Sequence, residues 1–151
     1  MKFTCSIDIN LPKIEVSRLF ANPEHLTEYQ EGFISKELIK GLEGENGAVS
    51  KLLFKMKMGK DDMELTETII DNNLPDSFFA SYHHKHMDNT MLCQFVAIDN
   101  FTTKYISEIH YTAFRGFVPK ALALLFPGIF KKQVNKWLVN FKNFAEQNKV
   151  N

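Results

Sequence analysis

From Phe33 to Phe114 apolar and polar residues alternate with a period of two, and turn signals break the alternation about every ten residues. The breaks are "GLEGENG", "GKDD", "DNNLPD", "MDNT" and "IDNF". Between them lie predicted strands near 33–40, 48–58, 62–71, 77–87, 90–98 and 102–114. No helical pattern separates these runs, so neighbours in sequence must pair through short connections, as an antiparallel meander.

Two further patterns frame the meander. Phe3, Cys5, Ile7 and Ile9 alternate with Thr4, Ser6 and Asp8, which predicts a first strand over Phe3–Ile9. Pro12 stands where a first helical turn accepts proline, and Ile14, Val16, Leu19 and Phe20 follow at helical spacing. "ANPEHLTEYQEG" predicts a second short helix, with Asn22 as cap, Pro23 as first residue and Gly32 as stop. At the far end, Phe130, Val134, Trp137, Leu138, Phe141, Phe144 and Ala145 form one face of a helix over Gly128–Gln147, with lysines on the other. At ~1.5 Å per residue it is about 30 Å long, enough to cross a whole sheet. Pro127 and Gly128 break it from the preceding "KALALLF" turn.

The order β, α, α, six β, long α predicts one α+β domain over 1–151. Its expected architecture is a seven-stranded curved antiparallel sheet wrapped around the long C-terminal helix. So wide a sheet twists and curls, and a single helix does not fill the hollow. Unless every inward residue is large, an apolar void remains, and such voids bind small molecules.

Composition narrows the partners. Eighteen basic residues balance eighteen acidic ones, leaving no charge imbalance to hold nucleic acid. Residues 117–151 nevertheless carry six lysines and one acid, Glu146. Surface pairing is the bland explanation, and a membrane surface or anionic ligand the sharper one. Fourteen Phe against one Trp imply a bulky core or a cavity walled by rings. Cys5 and Cys93 lack ligand or redox spacing and read as reduced, buried apolar residues. Asp8 stands where a signal peptide needs an apolar block, and "FVPKALALLFPGIF", broken by Lys120 and Pro127, falls short of the ~20 residues that cross a bilayer. The expectation is a cytoplasmic protein without stable membrane insertion, with no cofactor, its oligomeric state open.

The opening strand running into "INLPKIEVSRLFANPEHLTEY", then "GLEGENGAVSKLLF", "MELTETIIDNNLP" and "FRGFVPKALALLFPGIFKKQVNKWLVNFKNFAE", carry a resemblance over nearly the whole chain. The sequence resembles the START-like helix-grip superfamily (SRPBCC), and within it small bacterial polyketide cyclase/dehydrase-like proteins. That resemblance implies the helix-grip fold. For activity it implies a range, from lipid carriers and metabolite binders to aromatase/cyclase domains, and it supplies no single catalytic motif that maps onto these positions.

The most conspicuous chemistry is "SYHHKHMD". On a strand, Tyr82, His84 and His86 share one face with Phe78 and Ala80, while His83 points to water, so the three histidines are not one ligand cluster. His84 and His86 could share a metal only with a third ligand, and His110, two strands away at ~4.8 Å per strand, stands roughly 10 Å off. The expected site has no metal; the imidazoles hydrogen-bond at a polar end of the cavity or beside the turn at Asp88–Asn89. Glu67 shares the apolar face of Met63, Leu65 and Ile69; if that face is concave, desolvation there suits a general acid or a polar anchor. If Thr66, Thr68 and Ile70 face inward, Glu67 is solvated instead. The last strand offers Tyr105, Ser107, Ile109 and Tyr111 on one face and Glu108 with His110 on the other. Composition favours the first as buried, and the strand facing implied by the resemblance favours the second. "GLEGENG" lacks the Lys-Ser/Thr and helix of a phosphate loop and reads as a hairpin connection, and no GxSxG occurs.

These readings lead first to a binding module for a hydrophobic or amphipathic small molecule, a lipid or a polyketide. Phe54 and Met56, which share a strand face with Leu52 and Met58, form part of the expected wall; Trp137 and Phe141 form the lid, beside Phe126 and Phe130; Tyr82, His84, His86 and Glu67 make the polar contacts. A cyclase or dehydratase would use Glu67, His84 or His110 to move protons. A third reading is lipid transfer at an anionic membrane surface, resting on the cationic C-terminal segment and "LALLFPGIF".

Overall fold

A computed structural model describes residues 1–57 and 61–149. The seven strands are β1 (Lys2–Ile9), β2 (Phe33–Lys40), β3 (Val49–Phe54), β4 (Met63–Asn73), β5 (Ser77–His84), β6 (Met87–Ala97) and β7 (Thr103–Phe114). They form one antiparallel sheet in the order β1-β7-β6-β5-β4-β3-β2. The meander thus runs without a crossover, and β1 closes it by pairing with β7, from Lys2 opposite His110 to Ile9 opposite Thr103.

Helices α1 (Lys13–Ala21) and α2 (Leu26–Tyr29) flank a short 3₁₀ turn at Pro23–His25, where the Asn22 side chain accepts from the Glu24 amide at 3.0 Å. Two more helices follow β7: α3 (Phe117–Leu125) and the long α4 (Gly128–Gln147). The α3 helix is an addition to the expected order, occupying the stretch anticipated as a turn. Gly116, with φ +89°, turns the chain out of β7 into it, a backbone conformation natural to glycine.

The stripe Val134, Leu138, Phe141, Phe144 and Ala145 seats α4 on the sheet, but off centre. It packs against β1 and α2. There Cys5 and Ile9 of β1, Cys93 and Phe95 of β6, and Tyr105 and Ile109 of β7 join Val16, Leu19 and Tyr29 in one buried cluster. Rings fill this half: Phe20 lies 5.2 Å from Phe95 and 6.2 Å from Phe141, and Tyr29 lies 4.9 Å from Phe141, all edge-on. Among the described residues α4 does not pack closely on the other half of the bowl, over β2–β5.

Two strand limits differ from expectation. The β5–β6 hairpin turns at Lys85–His86, so Asp88 and Asn89 lie within β6. Arg115 sets this turn: it donates to the carbonyls of His84 (2.6 Å) and Lys85 (3.2 Å) and forks onto Asp88 at 2.7 and 2.8 Å. Strand β3 stops at Phe54, and the next backbone amide, that of Lys55, donates to the Gly32 carbonyl at 2.7 Å. A Cβ on Gly32 would lie 2.6 Å from the Lys55 carbonyl oxygen, so only glycine fits that approach. Met58 lies outside the described residues.

Candidate functional site

The unfilled half of the bowl is a cavity of about 180 Å³. Its floor is β2–β5 with the near ends of β6 and β7, and its roof is the α1–α2 corner and one side of α4. Leu52, Phe54, Met63, Leu65, Ile69, Phe78 and Met91 supply apolar floor; Phe20, Leu26, Tyr29, Val134 and Trp137 supply the roof. A broader, more open groove outside shares Phe54, Met63 and Trp137 with it, so these three form the partition between interior and surface.

Gln30, Asn72 and Asn89 also border the cavity, and its charged groups form one polar chain. Glu67 is only 6% exposed. Its partner across the β4–β5 ladder is Tyr82, whose hydroxyl donates to Glu67 Oε2 at 2.8 Å. Lys36 Nζ lies 3.1 Å from Glu67 Oε1 and donates to Glu43 Oε1 at 2.7 Å. Glu67 Oε1 thus has a charge partner in Lys36 but accepts no hydrogen bond of good geometry among the described residues. Burial alone would lower the Lys36 pKa, but the Glu67 and Glu43 carboxylates outweigh it and raise it.

Glu67 faces inward because Ile69 and Leu65 on the same face are drawn to the core, while Ile70 turns out. Lys36 was not anticipated in the cavity. On a regular strand Phe33 and Lys36 point to opposite faces; a bulge between Phe33 and Ser35 brings both inward. Glu43 was missed because "GLEGENG" reads only as a connection. The loop is indeed one, but it is pinned against β4: Asn72 donates through Nδ2 to the Gly44 carbonyl at 2.7 Å, and its amide donates to Asn46 Oδ1 at 2.7 Å. The roof residues Phe20 and Leu26 were legible as helix faces, but nothing in their spacing says that they cover a hollow.

Of the expected site residues, Phe54, Glu67, Tyr82 and Trp137 line the cavity. The others do not. Met56 follows the end of β3 and lines only the outer groove, 44% exposed. Phe141, one turn beyond Trp137, is buried in the ring cluster of the filled half. Phe130 packs behind the cavity wall, 5.0 Å from Tyr111 and 5.7 Å from Phe114. Phe126 is exposed at the end of α3. His110 faces out beside Glu108, which pairs with Lys2 at 3.1 Å, because Ile109 and Tyr111 take the inner face. Composition therefore identified the inward face of β7, and the facing implied by the resemblance did not.

The histidines form a hairpin clasp. His86 lies in the exposed turn, not on a strand face, and its amide donates to His84 Nδ1 at 3.2 Å. Burial, then the neighbouring His86, lower the His84 pKa. His83 Nδ1 lies 2.6 Å from Asp88 Oδ1. The Arg115 fork, aided by His83, holds the Asp88 carboxyl down at about 2 against the opposing effect of burial. Among the described residues no three His, Cys, Asp or Glu side chains come together as a metal-ligating group.

All four tyrosines, Tyr29, Tyr82, Tyr105 and Tyr111, have phenol pKa values raised first by burial, Tyr111 to about 12. Their unfolded value is about 10. A raised pKa means the folded state keeps protons that the unfolded chain releases, so this contribution is intact below pH ~10 and lost above it. Tyrosinate absorbance is therefore expected to stay flat through pH 10 and then rise in one step together with loss of the circular-dichroism signal. A phenol that titrates reversibly near pH 10 with the fold intact would contradict the burial described above.

No protein-family model matches the chain, and no curated protein matches it in sequence. Solved structures do match in fold. A conserved protein from Geobacillus kaustophilus superposes with TM-score 0.76 at 15% identity, over 97% of this chain and 96% of that one. The Zhui aromatase/cyclase from Streptomyces sp. R1128 gives 0.76 at 9%, over 97% and 94%. Norcoclaurine synthase from Thalictrum flavum, solved with dopamine and hydroxybenzaldehyde, gives 0.68 at 13%, over 100% and 89%. At such identities the likeness establishes architecture alone. That architecture is the helix-grip fold.

Proposed function

We propose that this chain binds a small aromatic or otherwise apolar molecule bearing a hydrogen-bond donor, in the cavity between the β2–β5 floor and the α1–α2–α4 roof. The observation that carries the reading is Glu67 Oε1, a buried acceptor that among the described residues accepts no hydrogen bond of good geometry, in a mostly apolar hollow. A ligand hydroxyl or amine placed there supplies the missing bond.

Size and charge narrow the class. An engineered apolar cavity of ~150 Å³ in another protein takes benzene, and drug-sized sites run to ~300–1,000 Å³. At about 180 Å³ this one suits one or two rings, and a four-ring skeleton would have to displace its walls. Lys36 already serves two carboxylates, so the polar end carries a net negative charge. A fatty-acid headgroup is repelled there, and a neutral phenol or an amine is accepted.

The test is a binding titration with naphthols, phenols, aryl amines and medium-chain fatty acids. Naphthol-sized phenols are expected to bind and raise the melting temperature, with affinity falling about five- to tenfold in Glu67→Gln. Binding of fatty acids alone, or equal affinity in wild type and Glu67→Gln, would refute the donor–acceptor reading. A second reading, cyclase- or dehydratase-type catalysis, rests on the same carboxylate and its bond to Tyr82. It predicts turnover that vanishes in Glu67→Gln while ligand binding persists.

A further inference from the structure

The α3 helix is built inside out. Its small residues Pro119, Ala121 and Ala123 are the partly buried ones, and its large residues face solvent. Phe117 is 86% exposed and Leu124 81%, with Val118, Leu125, Phe126 and Ile129 exposed beside them. No residue of α3 is buried. Monomeric surfaces rarely leave so many large apolar groups together in water, and such a patch marks a surface that something covers.

Charge says what covers it. Between Glu108 and Glu146 the chain has no acidic residue and six cations. Arg115 pairs with Asp88, Lys136 with Glu31 and Lys142 with Glu146. Lys120, Lys131 and Lys132, which lie on α3 and on the first turn of α4, are exposed and have no ion pair among the described residues. An apolar patch rimmed by uncompensated lysines complements the interface of an anionic bilayer. A two-fold contact with a second copy would set the same lysines of both chains around one rim, like charge against like. Among the described residues no helix is long and apolar enough to cross a membrane, so the contact is with the surface.

We propose that α3 and the start of α4 dock this protein reversibly on anionic lipid, with Phe117 and Leu124 entering the interface and Lys120, Lys131 and Lys132 over the headgroups. This goes beyond the cavity reading and does not depend on it.

The test is co-sedimentation of the full chain with vesicles of phosphatidylcholine alone, or with added phosphatidylglycerol. Binding is expected only to the anionic vesicles and is expected to disappear at high salt, where the Debye length shrinks to a few ångströms. Each of Lys131→Gln and Lys132→Gln should weaken partitioning about fivefold. The Phe117→Ser/Leu124→Ser pair should abolish it while the melting temperature and naphthol binding stay as in wild type, which separates this site from the cavity. Failure to sediment with anionic vesicles overturns the proposal, as does binding that survives the Phe117→Ser/Leu124→Ser pair. A dimer in light scattering that those substitutions dissociate, without vesicle binding, assigns the patch to a second copy and overturns it as well.

Discussion

Lys36→Met is expected to lower the melting temperature by about 10 °C, corresponding to roughly 3 kcal/mol for a chain of this length. The loss comes from what remains: Glu67 stays in the cavity wall, 6% exposed, without its counter-charge. Removing one member of a buried pair typically costs about 3–5 kcal/mol. The lower end applies because the Lys36 side chain keeps 14% of its exposure. Taking out the buried part of the polar chain avoids the penalty. Lys36→Met combined with Glu67→Leu and Tyr82→Phe strands no buried charge or hydroxyl, because the remaining Glu43 carboxylate is 44% exposed and solvated, and stability should return to within about 1 kcal/mol of wild type. Thermal denaturation of both variants decides it. If the triple variant is no more stable than Lys36→Met, the ion pair is not what the single substitution breaks.

Phe20→Ala is expected to cost about 3–5 kcal/mol. Its ring is the hub of the filled half, edge-on to Phe78 at 5.5 Å, Phe95 at 5.2 Å, Tyr105 at 6.0 Å and Phe141 at 6.2 Å. It also forms part of the cavity roof. The substitution therefore has a second effect that an ordinary core truncation lacks: it enlarges the hollow. The variant should bind three-ring aromatics that wild type rejects, and bound ligand should recover part of the lost stability. Chemical denaturation with and without a three-ring probe reads both effects. A destabilised variant with unchanged ligand size selection would place Phe20 in the core alone.

The architecture was legible because period two, helical period and turn residues each stood out over long windows. The site was legible only where strands stayed regular. On β4, alternation from Met63 to Ile69 correctly groups Glu67 with the apolar face. On β2 a bulge between Phe33 and Ser35 re-aims Lys36, so strict alternation counted from Phe33 assigns it to the opposite face. Around the histidines, Asp88 and Asn89 are good turn residues, yet the turn forms three residues earlier because Arg115, distant in sequence, claims Asp88 and the His84 carbonyl. The stripe on α4 says that the helix is buried but not which half of the sheet it covers. Seating over β1 decides that, and it separates Trp137, in the cavity wall, from Phe141, in the packed half.

The closing pair of the sheet has a kinetic consequence. Every ladder bond of β1 goes to β7, about a hundred residues away in sequence, and α4 packs on β1 as well. The entropy of closing that loop must be met before the first strand gains anything from its neighbours. The β2–β7 meander can zip locally, hairpin by hairpin, but the packed half of the molecule forms only when the first and last thirds of the polypeptide meet. Refolding should therefore be limited by this late encounter.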